Sequence, residues 1–121
     1  MKNILVVTGG CGFVGSNLIQ YLLAKTKYKI VSIDDYSSGT KKNQIKNKRV
    51  QYIHGHTKDV SKILKNKIKQ INSLFHFGEF ARIYQSFLQM DKCIQSNTIG
   101  TNAVFNFCLK NKIRLIYSAT S

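Results

Sequence analysis

Proline is absent from these 121 residues, and acid is scarce: four Asp and a lone glutamate, Glu79, stand against 19 Lys and Arg. No apolar run approaches the roughly 20 residues that a membrane-spanning helix needs. The run at residues 4–7 stops at Thr8-Gly9-Gly10, before a signal-peptide core of about 7–15 residues could form. A cytoplasmic protein that spans no membrane is the expectation. The three cysteines, Cys11, Cys93 and Cys108, are odd in number, far apart and without a CxxC pair. That excludes a disulfide framework and a zinc site, and leaves reduced thiols. Repeats, low-complexity tracts and interdomain linkers are also missing, so residues 1–121 read as one domain.

What is abundant is positive charge, +14 net. Such an excess fits a polyanion partner. It also fits lysine filling solvent-facing positions, as Lys62, Lys65 and Lys69 do at helical spacing while Leu64 and Ile68 share another face. The richness in Asn and Ile and the lack of Pro point to a compositional bias rather than selection for nucleic acid, so no nucleic-acid partner is expected.

Along the chain, strand-like and helix-like segments alternate. Residues 3–8 (NILVVT) form an apolar run fit for a strand buried on both faces. Over residues 13–24, Phe13, Val14, Leu18, Ile19, Leu22 and Leu23 recur at helical spacing. Residues 28–34 (YKIVSID) read as a second strand, 35–47 as a turn-rich basic connection, and 50–54 (VQYIH) as a third strand. Residues 58–69 predict a helix with Val60, Ile63, Leu64 and Ile68 inward and Asp59 or Ser61 as cap. A fourth strand at 73–77 (SLFHF), a long helix over about 86–111 and a fifth strand at 113–118 (IRLIYS) complete the pattern. Strands separated by crossover helices imply a doubly wound parallel α/β sheet.

Between the first strand and the first helix stands VVTGGCGFVGSNL, with Gly9, Gly12 and Gly15 three apart and Gly10-x-Gly12-x-x-Gly15 also present. Glycine allows the tight turn, the approach of a pyrophosphate to the backbone, and close helix–strand packing. The helix start then offers free N–H groups to phosphates. Asp34 ends the second strand 19 residues after Gly15, where a carboxylate accepts from ribose hydroxyls. That acid favours NAD over NADP, although Lys41 and Lys42 lie close enough in sequence to accommodate a 2′-phosphate. A P-loop is excluded because no Gly-Lys-Ser/Thr follows the glycines. A bare glycine turn without a ligand is the other reading of the motif.

TGGCGFVGSNL resembles the TGxxGxxG fingerprint of the extended short-chain dehydrogenases/reductases, the branch of NAD-dependent sugar-nucleotide epimerases and dehydratases that includes the UDP-glucose 4-epimerase-like enzymes. The resemblance continues through IDDYSSG (33–39), LFHFGEFA (74–81), NTIGT (97–101) and RLIYSATS (114–121). It implies the N-terminal part of a Rossmann-type NAD-binding domain, strand order 3-2-1-4-5, with a nucleotide-sugar as substrate of the whole enzyme. It implies that Gly9, Gly12 and Gly15 form the dinucleotide loop with Phe13 and Val14 inside its turn. Asp34 would hold the adenine ribose with Asp35 beside it, and Phe77, Gly78 and Glu79 would lie along the cofactor. Asn97 would stand near the nicotinamide; read from the residues alone, it is equally a core asparagine bonded to backbone. Thr120 falls where the family places a catalytic Ser or Thr.

Two positions depart from the resembled pattern. Where the family has G-D-[IV], with an Asp that caps the adenine amino group, this chain has His56, and a neutral His is expected to accept one hydrogen bond there. Glu79 and Arg82 replace small or different polar residues, and Glu79 reads as an exposed loop acid. Cys11 reads as a small filler in the glycine loop, and His76 as a core histidine. The family's Tyr-x-x-x-Lys acid–base pair is not found in a usable place, because Tyr21-x-x-x-Lys25 lies on the first helix. Losing such a pair costs roughly 10²–10⁴ in rate, so no turnover is expected from this chain alone. A non-catalytic dinucleotide-binding module is the alternative reading. With strand five at an open edge, self-association is also expected.

Overall fold

Strand-length apolar runs become one parallel sheet in the computed structural model, which describes residues 1–36, 40–77 and 99–117. The strands are β1 (Ile4–Thr8), β2 (Lys29–Asp34), β3 (Val50–His54), β4 (Ile71–His76) and β5 (Arg114–Tyr117). Their order is β3-β2-β1-β4-β5, every pair parallel; the alternating pattern predicts the parallel pairing and the family resemblance the order. The helices are α1 (Phe13–Lys25), α2 (Val60–Ile63) and α3 (Thr101–Asn111).

Alternation along the strands sorts side chains onto two faces. Leu5, Val7 and Ile30 pack with Ile19 and Leu22 of α1. Ile4, Val6, Val31 and Ile33 point the other way, onto Val60, Val104, Phe107 and Cys108 of α2 and α3. Helices on both faces bury β1 completely, which is why its sequence is continuously apolar rather than alternating. One irregularity keeps the pattern in phase: Ile4 pairs with Ile71 but Leu5 pairs with Ser73. The extra residue, Asn72, puts Ile71 and Leu74 on the same face, three apart instead of two, and both are fully buried.

The helix expected over residues 58–69 is much shorter. A 3-10 turn at Thr57–Asp59 leads into α2, which ends after Ile63, and a second 3-10 turn at Ile68–Gln70 enters β4 directly. The Lys67 N–H donates to the Leu64 carbonyl at 2.8 Å and the Gln70 N–H to the Lys67 carbonyl at 2.9 Å, both three residues back. The apolar residues nevertheless go where the pattern puts them, with Val60 and Leu64 fully buried and Ile63 and Ile68 packed on the same core. Periodicities of 3.0 and 3.6 are hard to tell apart over ten residues. Of the long helix expected over 86–111, only α3 falls within the described residues. Among those residues no helix is long and apolar enough to cross a membrane.

Candidate functional site

The parallel arrangement puts the carboxyl ends of all five strands along one edge. There β1 runs into the glycine bend and β2 ends at Asp34. Gly9 has φ 73°, in the left-handed region where a side chain is strained. Its N–H donates to the Ile33 carbonyl at 2.7 Å, and its carbonyl accepts from the Gly12 N–H at 3.1 Å, which closes the bend. A Cβ on Gly15 would run into the Gly9 carbonyl oxygen and reach within 2.9 Å of the Gly10 Cα. The first turn of α1 therefore lies directly against the bend. Gly12 caps that helix, no side chain satisfies its first N–H groups, and its first turn holds no acid. A helix start left open in this way presents donors and partial positive charge to an anion.

Asp34 is aimed at the bend by strand alternation, since Ile30, Ser32 and Asp34 share the α1 side of β2. Its Oδ2 accepts from the Cys11 N–H at 2.9 Å and its Oδ1 from the Tyr36 N–H at 2.7 Å. The residue is 8 % exposed. Burial pushes its pKa above the usual carboxylate value, and the neighbouring Asp35 adds to the rise. The two backbone N–H groups and His54 pull it back. A carboxylate has about four lone-pair sites, so each oxygen retains capacity for a ribose hydroxyl.

The structure thus brings Gly9, Gly12, Gly15, Asp34, Asp35 and Phe77 to one edge. The Phe77 N–H donates to the Thr8 carbonyl at 3.2 Å and to the Thr8 hydroxyl at 2.7 Å, which sets the end of β4 beside the start of the bend. Phe13 and Val14, expected inside the turn, stand instead on its outer side at the start of α1, 82 % and 57 % exposed. Gly78, Glu79, Arg82, Asn97 and Thr120 lie outside the described residues.

Cys11 is fully buried beneath the bend, a filler as its size suggests. Burial first, and the Asp34 charge second, push its thiol pKa up, so it is no thiolate despite its place near a helix start. His56 departs from expectation. Its Nδ1 accepts from the Lys58 N–H at 3.0 Å, capping the 57–59 turn. Nε2 then carries the proton, and it is buried without a hydrogen-bond partner among the described residues. The ring therefore offers a donor, not the acceptor that an adenine amino group requires.

Several contributors were not singled out from the sequence. Residues 40–44 fold back onto the bend: the Thr40 N–H and the Asn43 Nδ2 both donate to the Cys11 carbonyl, at 3.2 Å and 2.7 Å. Tyr36, at φ 60°, accepts from Gln44 Nε2 at 2.8 Å, stacks edge-on against His54, and lies 5.7 Å beneath Lys41 Nζ. His76, singled out in the sequence as a core histidine, is indeed fully buried, with Nδ1 2.8 Å from the Thr8 hydroxyl and Nε2 3.1 Å from that of Thr101. It ties the ends of β1 and β4 to the first turn of α3. The Asn and Thr in the 40–44 stretch were the available signal for the fold-back; nothing in the spacing links His76 to Thr8 and Thr101.

Residues 5–121 match the model of the NAD dependent epimerase/dehydratase family. A dTDP-D-glucose 4,6-dehydratase of Dictyostelium discoideum is 31% identical over 124 residues, covering 96% of this chain and 28% of its own length. The structure of a UDP-N-acetylglucosamine 4-epimerase from Methanobrevibacter ruminantium, in complex with UDP-N-acetylmuramic acid, superposes with TM-score 0.82 at 30% identity. That alignment covers 100% of this chain and 39% of the epimerase. The Bordetella bronchiseptica enzyme WbmF, in complex with NAD+, shares the fold with TM-score 0.88 at 24% identity, over 99% of this chain and 37% of WbmF. The chain thus spans about a third of the length of these relatives.

Proposed function

Because the chain belongs to the NAD-dependent epimerase/dehydratase family, we propose that it is the NAD-binding part of a nucleotide-sugar epimerase or dehydratase. One observation carries the reading: the Asp34 carboxylate, at the tip of β2, is held 2.9 Å from the Cys11 N–H in the glycine bend at the tip of β1. The bend has no Cβ where the Gly9 carbonyl meets Gly15, and its helix start is uncapped by any side chain. These residues fit a dinucleotide. The Gly9–Gly15 backbone and the first N–H groups of α1 would hold the pyrophosphate, and the free lone pairs of Asp34 the adenosine ribose. A carboxylate there disfavours a 2′-phosphate, which selects NAD over NADP.

When bound, the nicotinamide supplies reversible hydride acceptance. The chain's own contribution is binding and orientation: Phe77 stands beside Thr8, and the roles proposed for Asp35, Gly78 and Asn97 are to contact the cofactor and for Thr120 to contact the substrate hydroxyl. The Tyr21–Lys25 pair sits in the far half of α1, Tyr21 is 59 % exposed, and neither residue reaches this edge. The sugar chemistry is accordingly proposed for a polypeptide that carries the acid–base pair, and self-association through β5 for the chain itself. The buried free thiols Cys11 and Cys108 support a reducing, cytoplasmic setting.

Isothermal titration of the purified chain with NAD and with NADP tests the reading. Saturable NAD binding, weaker NADP binding, and loss of both preference and affinity in Asp34→Ala are expected. Equal affinity for the two cofactors, or NAD binding untouched by Asp34→Ala, would remove it.

A further inference from the structure

At the opposite edge of the sheet, where the strands begin, the chain forms a cavity of about 250 Å³ lined by Lys29, Lys48, Arg49, Gln51, Lys67 and Gln70 over the buried starts of β1 and β2. Among the described residues no carboxylate lines it. Four basic residues border it from separate places in the sequence: the start of β2, the approach to β3, and the turn before β4.

Arg49 fixes one wall of the cavity. Its guanidinium donates to the carbonyls of Leu23 at 2.5 Å, Thr26 at 2.7 Å and Tyr28 at 3.2 Å. It thereby satisfies the carbonyl end of α1 and pins the start of β3 to it. The Arg49 carbonyl in turn accepts from the Ile30 N–H at 2.7 Å. Arg49 is engaged by the negative helix end, and the lining holds no acid to offset Lys29, Lys48 and Lys67. Like charges around a concavity repel one another, and a concave wall of low dielectric concentrates their field.

We propose that this cavity binds a small phosphate-bearing anion, at a site separate from the dinucleotide edge. The volume admits a diphosphate, and Gln51 and Gln70 add neutral donors beside the lysines. At about 3.3 Å per residue, the five steps from Lys29 to Asp34 separate the two edges by roughly 16 Å. Occupancy of one does not obstruct the other. A nucleic-acid backbone would meet a flat or grooved basic surface rather than a cavity of this size.

Inorganic pyrophosphate titrated into the isotopically labelled chain, with and without NAD, decides the matter by amide shifts. With NAD saturating the glycine bend, saturable one-site shifts at Lys29, Ile30, Lys48, Arg49 and Gln51 are expected; without NAD the same shifts are expected, and shifts at the bend form a second set that NAD removes. Lys48→Ala/Lys67→Ala should weaken the affinity by about tenfold or more, whereas the equally charged Lys62→Ala/Lys65→Ala pair should change it by less than about twofold. Equal weakening by the two pairs, shifts confined to the glycine bend, or binding of a single-stranded oligonucleotide without binding of pyrophosphate would each overturn the proposal.

Discussion

Both oxygens of Asp34 are engaged by backbone N–H groups, yet its pKa is raised because the carboxyl is buried. A folded-state pKa above the unfolded one means that the folded chain takes up this proton first as pH falls. The desolvation cost of the charged form is present at neutral pH and is relieved as pH falls through the raised folded-state value. NAD affinity should move the other way: it declines as pH falls through that same interval, because the ribose hydroxyls lose a charged acceptor. Calorimetric titration from neutral pH down into the carboxylate range checks the direction, and Asp34→Asn should flatten the curve. The glycines separate fold from binding. Gly15→Ala drives a methyl into the Gly9 carbonyl and should destabilise the chain by about 1–3 kcal/mol in urea unfolding. Gly12 has φ −80°, and its would-be Cβ is 3.4 Å from the Gly9 oxygen. Gly12→Ala should therefore fold within about 0.5 kcal/mol of the parent, yet bind NAD about tenfold more weakly, because the methyl occupies the pyrophosphate's approach. His56→Asp would retain the cap to the Lys58 N–H and supply an acceptor where the ring now offers a donor. Several-fold tighter NAD binding is the expected result in the same titration. Much of this site is legible in the sequence, since the glycine spacing and the acid 19 residues on are local facts of one βαβ unit. The tautomer of His56 is not, because it depends on a backbone N–H two residues away and on burial that sequence does not display.

Among the elements, α3 shows how an end is made without glycine. Lys112 closes it at φ 56°, with its N–H toward Cys108 and Leu109 and the Ile113 N–H reaching the Cys108 carbonyl at 2.9 Å. A Cβ in the left-handed region costs about 1–2 kcal/mol, part of which glycine returns as backbone entropy in the unfolded chain. Lys112→Gly should raise stability by about 0.5–1 kcal/mol and the melting temperature by about 2–6 °C, read by thermal circular dichroism. The shortened α2 teaches a related lesson. Its inward residues were legible from their spacing, but the switch to 3-10 turns after Ile63 was not, because the path into β4 is set by where the sheet already lies. The bulge at Asn72 is likewise invisible in a run that reads simply as apolar.

For the whole molecule, the two faces of the sheet are unequally covered. On the α1 side Phe75 and Ile116 are neighbours on β4 and β5, and Ile116 is 37 % exposed. On the other side Phe105 and Leu109 of α3 are 42 % and 81 % exposed. The outer edge of β5 has no paired strand among the described residues. Strand edges of this kind recruit other chains unless charge blocks them. Sedimentation of the purified chain should show association that grows with concentration, and Ile116→Lys should abolish it without loss of secondary structure. A monomer at every concentration would dismiss the idea.

The sequence by itself determined the parallel α/β sheet, its strand order and the edge that carries the glycine bend and Asp34. The sheet follows from strand-length apolar runs alternating with helical spacings, the shared edge from spacings within a single strand–turn–helix unit, and the strand order from the resemblance of the motif blocks to a known family. Only the tertiary structure decided how far Asp34 is buried, which nitrogen of His56 is left to donate, that residues 40–44 lock onto Cys11, and that four distant basic residues border one cavity. Each of these arises where segments far apart in the chain meet, and burial, proton placement and local field are properties of that meeting rather than of any segment alone.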